Sequence, residues 1–185
     1  MLKGKNVNLR LLEKEDLPTF IELWNDPEFS GNYRPLIQVS KKDMEDRLET
    51  RPPESRMFFI EKKDKTIIGI INHFPVGELL EIGFVLVPSE RGKGYCTEAV
   101  KTMVDYLFLS KDIVRIQAKT DSRNVASQRV LEKTGFRKEG VMRKSLFSRG
   151  SWRDMILYSI VREEWKESRI PSALVRWESE EVYDS

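Results

Sequence analysis

Apolar and polar residues alternate over residues 6–12, with Val7, Leu9 and Leu11 on one face and Asn8 and Arg10 on the other, the period of a half-buried strand. The period then lengthens to that of a helix. Leu17, Phe20, Ile21 and Trp24 recur at three and four residues behind Asp16, a candidate cap, and Pro18, until Asp26-Pro27 stops the run. Residues 28–39 mix turn formers with Phe29, Tyr33, Leu36 and Ile37, the composition of an ordered loop suited to covering a substrate. Ser40 and Asp43 make a capping-box start for a short helix bearing Met44 and Leu48, ended by Arg51-Pro52-Pro53. Three strand signals follow at 57–62, 66–74 and 79–87, separated by breaks short enough for antiparallel hairpins.

The chain changes character within the stretch 81–109. A strand-like run (Ile82, Phe84, Val85, Leu86, Val87) is stopped by Pro88, turned by the basic sequence Arg91, Gly92, Lys93, Gly94, and continued as a helix whose Ala99, Val100, Met103, Val104, Leu107 and Phe108 form an apolar stripe. Gly92 and Gly94 let backbone approach a ligand closely, and the first amides of the helix have no intrahelical acceptor. Together they suit a pyrophosphate, with Arg91 and Lys93 adding charge. Neither G-x-G-x-x-G nor G-x-x-x-x-G-K-[ST] is present after the strand. A plain strand-to-helix turn with solvated charges has the same composition, so the turn alone leaves both readings open. Beyond it, residues 113–120 alternate as a strand, Asp121 to Asn124 offer caps for a helix at 125–134, and Gly135 ends that helix with Phe136 packing behind. Residues 137–147 and 152–161 pattern as a terminal hairpin.

Composition narrows the class. At 185 residues, 39% hydrophobic and 34% charged, the chain is expected to form one globular domain over 1–165, followed by a charged extension at 166–185. The extension carries Leu174, Val175, Trp177, Val182 and Tyr183, which fits packing on the body or on a second copy in a homodimer, and simple disorder equally. Thirty-two basic against thirty acidic residues leave +2, no footprint of a dedicated nucleic-acid binder. One cysteine and an N-terminus without an apolar signal core point to the cytoplasm, and no run has membrane-spanning length. His73 and Cys96 alone supply neither a zinc cluster nor a Cys-His dyad, so no metal is expected and His73 is a structural strand residue.

Arg91-x-x-Gly94-x-Cys96 after a hydrophobic strand resembles the coenzyme A loop of the GNAT acyltransferases, with Cys96 at a position the family gives to Gly or Ala. The segment 124–136, NVASQRVLEKTGF, resembles the second GNAT signature, in which Asn opens the helix and K-x-G-F closes it. The early L-R-L-L-x-x-x-D-L, the block at 23–27, the E-I-G-F strand and the closing WRDMILYSI further resemble the ribosomal-protein N-terminal acetyltransferase branch, the RimJ/RimL type.

That resemblance implies an α/β (α+β) fold with one mixed, mostly antiparallel sheet of about seven strands, splayed after the fourth and flanked by about four helices. It implies acetyl-CoA as co-substrate, its pantetheine arm along the edge formed by Phe84, Leu86 and Val87 and its pyrophosphate on the amides of Arg91, Gly92, Lys93, Gly94, Tyr95 and Cys96. Asn124 would bond the pantetheine and Ser127 would stand near the thioester sulfur. Many members use a Tyr as acid where this chain has Leu131, so Ser127 is the substitute. Glu81 shares strand parity with Gly83 just upstream of that edge and is the candidate base, acting through a water, although an ordinary solvated or ion-paired strand residue fits the same pattern. The expected activity is acetyl transfer to a primary amine in a ternary complex, most specifically a protein N-terminal α-amine. A small-molecule amine (polyamine or amino sugar) and a non-catalytic acyl-CoA-binding module are the alternatives. The loop at 28–39 carries Arg34 and no carboxylate after Glu28, which favours a peptide over a polycation.

Overall fold

The computed structural model describes residues 1–165; the extension at 166–185 lies outside the described residues. Eight strands form one sheet in the order β1-β2-β3-β4-β5-β6-β8-β7. They are β1 (Leu2–Lys3), β2 (Val7–Leu11), β3 (Arg56–Lys62), β4 (Ile67–Val76), β5 (Leu79–Leu86), β6 (Arg115–Asp121), β7 (Arg137–Ser148) and β8 (Ser151–Val161). Every neighbouring pair is antiparallel except β5 with β6. Five helices flank the sheet: α1 (Leu17–Asn25), α2 (Pro27–Ser30), α3 (Lys41–Thr50), α4 (Tyr95–Ser110) and α5 (Val125–Lys133).

Helices cover both faces, which is why β3 buries Phe58, Phe59 and Ile60 in succession instead of alternating. Phe58 and Ile60 join the core under α4 and α5, with Ile71, Leu80, Ile82, Met103 and Leu107. Phe59 and Ile70 join the smaller core under α1 to α3, with Leu17, Phe20, Phe29 and Met44. The parity of β5 follows: its even residues face α4, while Val85 packs toward the other core.

The architecture meets the expectation with one strand and one helix more. The extra strand is the two-residue β1, paired to β2 at Leu2 with Leu9. The extra helix, α2, lies within what the composition presents as loop; Asp26 accepts from the Glu28 amide at 2.8 Å and Pro27 opens the turn, so Asp26-Pro27 both stops one helix and starts the next. Asp16 does not cap α1 with its side chain. Its carboxylate is held instead by the Arg10 fork at 2.7 and 3.0 Å, a charge-assisted pair that outcompetes a neutral cap. The Ser40–Asp43 capping box of α3 forms as expected, and Gly135 leaves α5 at φ 92° with the Phe136 amide returning to the Leu131 carbonyl.

Side chains at both ends of α4 tie it to the sheet. Glu98 in its first turn accepts from the Asn6 amide at 2.7 Å and the Asn6 side chain at 2.8 Å. At its far end Arg162 donates to the carbonyls of Phe108, Lys111 and Ile113, satisfying groups that a helix C-terminus leaves open.

His73 is 1% exposed, with the rings of Phe58 and Tyr106 each 6.3 Å away and neither imidazole nitrogen bonded among the described residues. Burial, helped by the charges of Lys111 and Arg56, lowers its pKa from 6.5 to about 4. The unfolded chain therefore binds a proton that the fold refuses. Stability from this group is fully present above pH 6.5 and is lost as pH falls toward 4, about 3 kcal/mol in all. His73 is the only histidine, so the slope of melting temperature between pH 6.5 and 4.5 should flatten in His73→Leu. Parallel slopes for the two proteins, measured by thermal denaturation, would contradict this.

Candidate functional site

The site begins where the sheet comes apart. β5 and β6 pair only at Leu80 with Ile116 and Glu81 with Gln117. Beyond those two rungs β5 stays with β4 as far as Leu86, while β6 stays with β8 as far as Asp121. Because the Val87 amide donates to the Ile68 carbonyl on β4, alternation turns the main chain of Phe84 and Leu86 the other way, into the gap. Arg91 Nε takes the Leu86 carbonyl at 3.0 Å, leaving the Leu86 amide and both Phe84 groups at the open edge. Val87, expected on that edge, turns its amide to β4 and packs between the two cores.

A cavity of about 640 Å³ runs from this edge over the turn that enters α4, lined by Phe84, Leu86, Arg91, Gly92, Cys96, Asn124 and Ser127 among others. Gly92 and Gly94 hold φ of 78° and 85°, a left-handed conformation that side chains strain to adopt, and a Cβ on either would touch nothing within 4 Å. Among the described residues, the amides from Gly92 to Thr97 donate to no backbone or side-chain acceptor. The turn thus presents a row of free donors at a helix N-terminus, a site for an anion.

The two cations expected to add charge are largely engaged elsewhere. Arg91 also donates to the Glu28 and Phe29 carbonyls at 3.2 and 3.1 Å, tying α2 to the turn. Lys93 pairs with Glu90 at 3.0 Å. Tyr95 is half-buried against the core. Cys96 lines the cavity, and its apolar surroundings push the thiol up to about 12, outweighing the helix N-terminus that would favour a thiolate.

Asn124 and Ser127 stand across the gap from β5. The Asn124 side-chain Oδ1 caps α5 by accepting from the Ser127 amide at 3.1 Å. Both residues line not only the large cavity but a second one of about 290 Å³ on the α1 side, and Tyr33, Arg34, Phe84 and Val85 are likewise common to both. The two spaces meet at the mouth of the gap. Leu131 is fully buried in the core under α4 and α5 and offers no acid.

Glu81 occupies the last paired position before the strands part. It is 8% exposed, not solvated: Gln117 Nε2 and Lys119 Nζ, both from β6, each approach Oε2 at 2.9 Å. Lys119 in turn lines the smaller cavity with Asn72, Phe74, Trp24 and Arg34. The Arg34 guanidinium lies 4.4 Å over the Trp24 ring with no carboxylate partner among the described residues, and its burial lowers its pKa from the ordinary guanidinium value. The carboxylate lining this space, Asp121, is closed off by Arg123 through bonds of 2.9 and 2.7 Å. Sequence reasoning missed Asn72, Gln117, Lys119 and Asp121. The alternation of 117, 119 and 121 put them on one face, but nothing local said which strand that face adjoins.

Residues 6–137 match the acetyltransferase (GNAT) domain family. The probable N-acetyltransferase YjcK of Bacillus subtilis is 34% identical, the alignment spanning 89% of this chain and 98% of that protein. Among solved structures, spermidine N-acetyltransferase from Vibrio cholerae, in complex with CoA and spermine, superposes with a TM-score of 0.77 over 86% of this chain and 97% of its own at 22% identity. Ribosomal-protein-S5-alanine acetyltransferase from Vibrio fischeri superposes at 0.75 over 89% and 98% at 24% identity. With a splayed sheet, a glycine turn of free amides and a matching family profile across most of its length, this chain belongs to the GNAT family of N-acetyltransferases.

Proposed function

We propose that the protein transfers the acetyl group of acetyl-CoA directly to the α-amine of a peptide or protein N-terminus, within a ternary complex. The observation that carries the choice of acceptor is Arg34 on Trp24: the smaller cavity holds this unpaired cation, and its carboxylate Asp121 is neutralised by Arg123. A polyamine would meet repulsion there, whereas a peptide offers backbone carbonyls that a guanidinium can bond.

The residues fit the co-substrate. Phe84 and the Leu86 amide would bond the pantetheine arm as an added strand does, and the amides from Gly92 to Thr97 would hold the pyrophosphate. Bound acetyl-CoA supplies an activated thioester at the junction of the two cavities. Asn124 and Ser127 line both cavities there, and the Ser127 hydroxyl would hydrogen-bond the departing sulfur. Glu81 receives the amine proton through a water; Gln117 and Lys119 hold its Oε2 and so fix its orientation. An α-amine titrates near neutrality, so a modest base is sufficient.

Glu81→Gln keeps the shape of the carboxylate and should lower kcat by about 10²-fold or more while acetyl-CoA binding, followed by calorimetry, is retained. Unchanged turnover rules the assignment out. A panel of peptides, spermidine and an amino sugar, with free thiol as the readout, should show release driven by peptide. Cys96, held protonated, should react with iodoacetamide at pH 8 at least about a hundredfold more slowly than in the unfolded chain, and slow modification should block acetyl-CoA binding. A modified protein that binds acetyl-CoA normally would put the turn at 91–96 outside the cofactor site.

A further inference from the structure

The acceptor cavity continues past Trp24, Asn72 and Phe74 into a further space of about 200 Å³ between α1, α3 and the β3–β4 strands, which those same three residues also line. Its walls are apolar, with Phe20, Met44, Leu48 and Met57, while Arg47, Arg51 and Arg56 also line it and no Asp or Glu does. The Nη1 of Arg51 is buried with no hydrogen-bond partner among the described residues. Arg56 spends its own Nη1 on the carbonyls of Pro53 and Ser55.

The carboxylates of α3 stay outside this space. Asp43 is bound by Ser40 in the capping box and feels the Arg47 charge from there, Glu45 pairs with Lys41 at 3.7 Å, Glu49 pairs with Lys14 at 3.4 Å, and Asp46 does not line it. Desolvation and the neighbouring Arg56 charge lower the pKa of Arg51, a sign of positive charge held without compensation. A buried guanidinium donor left unbonded is costly, and an anion that reaches it recovers that cost. The apolar walls suit the methylene groups of an extended acidic side chain, whose carboxylate would then meet the arginines.

We propose that this space is an anion subsite of the acceptor groove, and that the protein acetylates peptide N-termini with a glutamate or aspartate a few residues behind the amine. The inference rests on the peptide-acceptor reading above and deepens it. It assigns Arg51 and Arg47 as specificity-determining residues, acting on the acceptor at a distance from the transferred acetyl group.

Pentapeptides that differ only in bearing Glu, Gln or Lys at one of positions two to four test it by thiol release from acetyl-CoA. At the favoured position the Glu peptide should exceed the Gln peptide in kcat/KM by about tenfold, and the advantage should shrink as salt is raised. Arg51→Gln should bring the ratio close to one, and Arg51→Glu should shift preference to the Lys peptide, a gain that misfolding cannot imitate. Arg47→Gln supplies an independent variant with the same direction of change. Equal kcat/KM for all three peptides at every position would overturn the anion subsite while leaving the peptide reading in place. Acetylation of spermidine with no peptide turned over would overturn the peptide reading, and the subsite with it.

Discussion

Two rungs of parallel pairing, Leu80 with Ile116 and Glu81 with Gln117, join the halves of the sheet, and the rest of the site depends on their being so few. Pairing continued in this register until Phe84 met Thr120 would satisfy the Phe84 main chain within the protein and close the cavity. The strands part instead because each has a stronger commitment elsewhere. β5 runs eight register pairs with β4, and β6 runs seven with β8. Parallel pairs gain slightly less per residue than antiparallel ones, so the β5–β6 seam is where the sheet yields most cheaply.

The opening is useful only because its rims are rigid. Below, α4 is fastened through Glu98 to β2 and through Arg162 to the chain entering β6. Above, Arg91 ties the turn to α2 by two bonds to carbonyls and to β5 by a third, and Arg149 from the β7–β8 turn donates to the Gly31 carbonyl at 2.7 Å. These side chains stiffen the walls of the larger cavity while the free amides of the turn remain available. Division of labour between backbone and side chain is a recurring consequence of a glycine turn: with no Cβ in the way, the main chain can bind and neighbouring cations can brace.

The donors differ along the two cavities. In the larger one the turn offers uncharged amides at a helix N-terminus, suited to a phosphate, beside Arg34, Arg91 and Arg149. The smaller cavity and the space behind Trp24 carry the guanidinium groups of Arg34, which also lines the larger cavity, and of Arg47, Arg51 and Arg56, with Lys119 paired to Glu81 and Asp121 to Arg123. The Glu81 carboxylate at the vertex of the splay is therefore held beside the Lys119 cation.

Much of this was legible locally. The spacing of apolar residues, with turn formers between the runs, marked the seven longer strands and the main helices, although β3 and β4, covered on both faces, carry continuous apolar runs instead of alternation. Gly92, Gly94 and the run behind them determined a turn able to hold an anion, since conformational freedom and orphan amides belong to those residues alone. Asn124 and Gly135 likewise marked both ends of α5. What only the tertiary structure decided is which of these meet. β8 returns between β6 and β7, an order that no adjacent residues encode, and it draws β6 away from β5. Where the strands part, the Phe84 main chain lies at an open edge, and Ser127 and Arg34 line the same cavities. Side-chain partners such as Arg91 with the α2 carbonyls depend on separations of about sixty residues, where periodicity carries no information and only packing selects the neighbour.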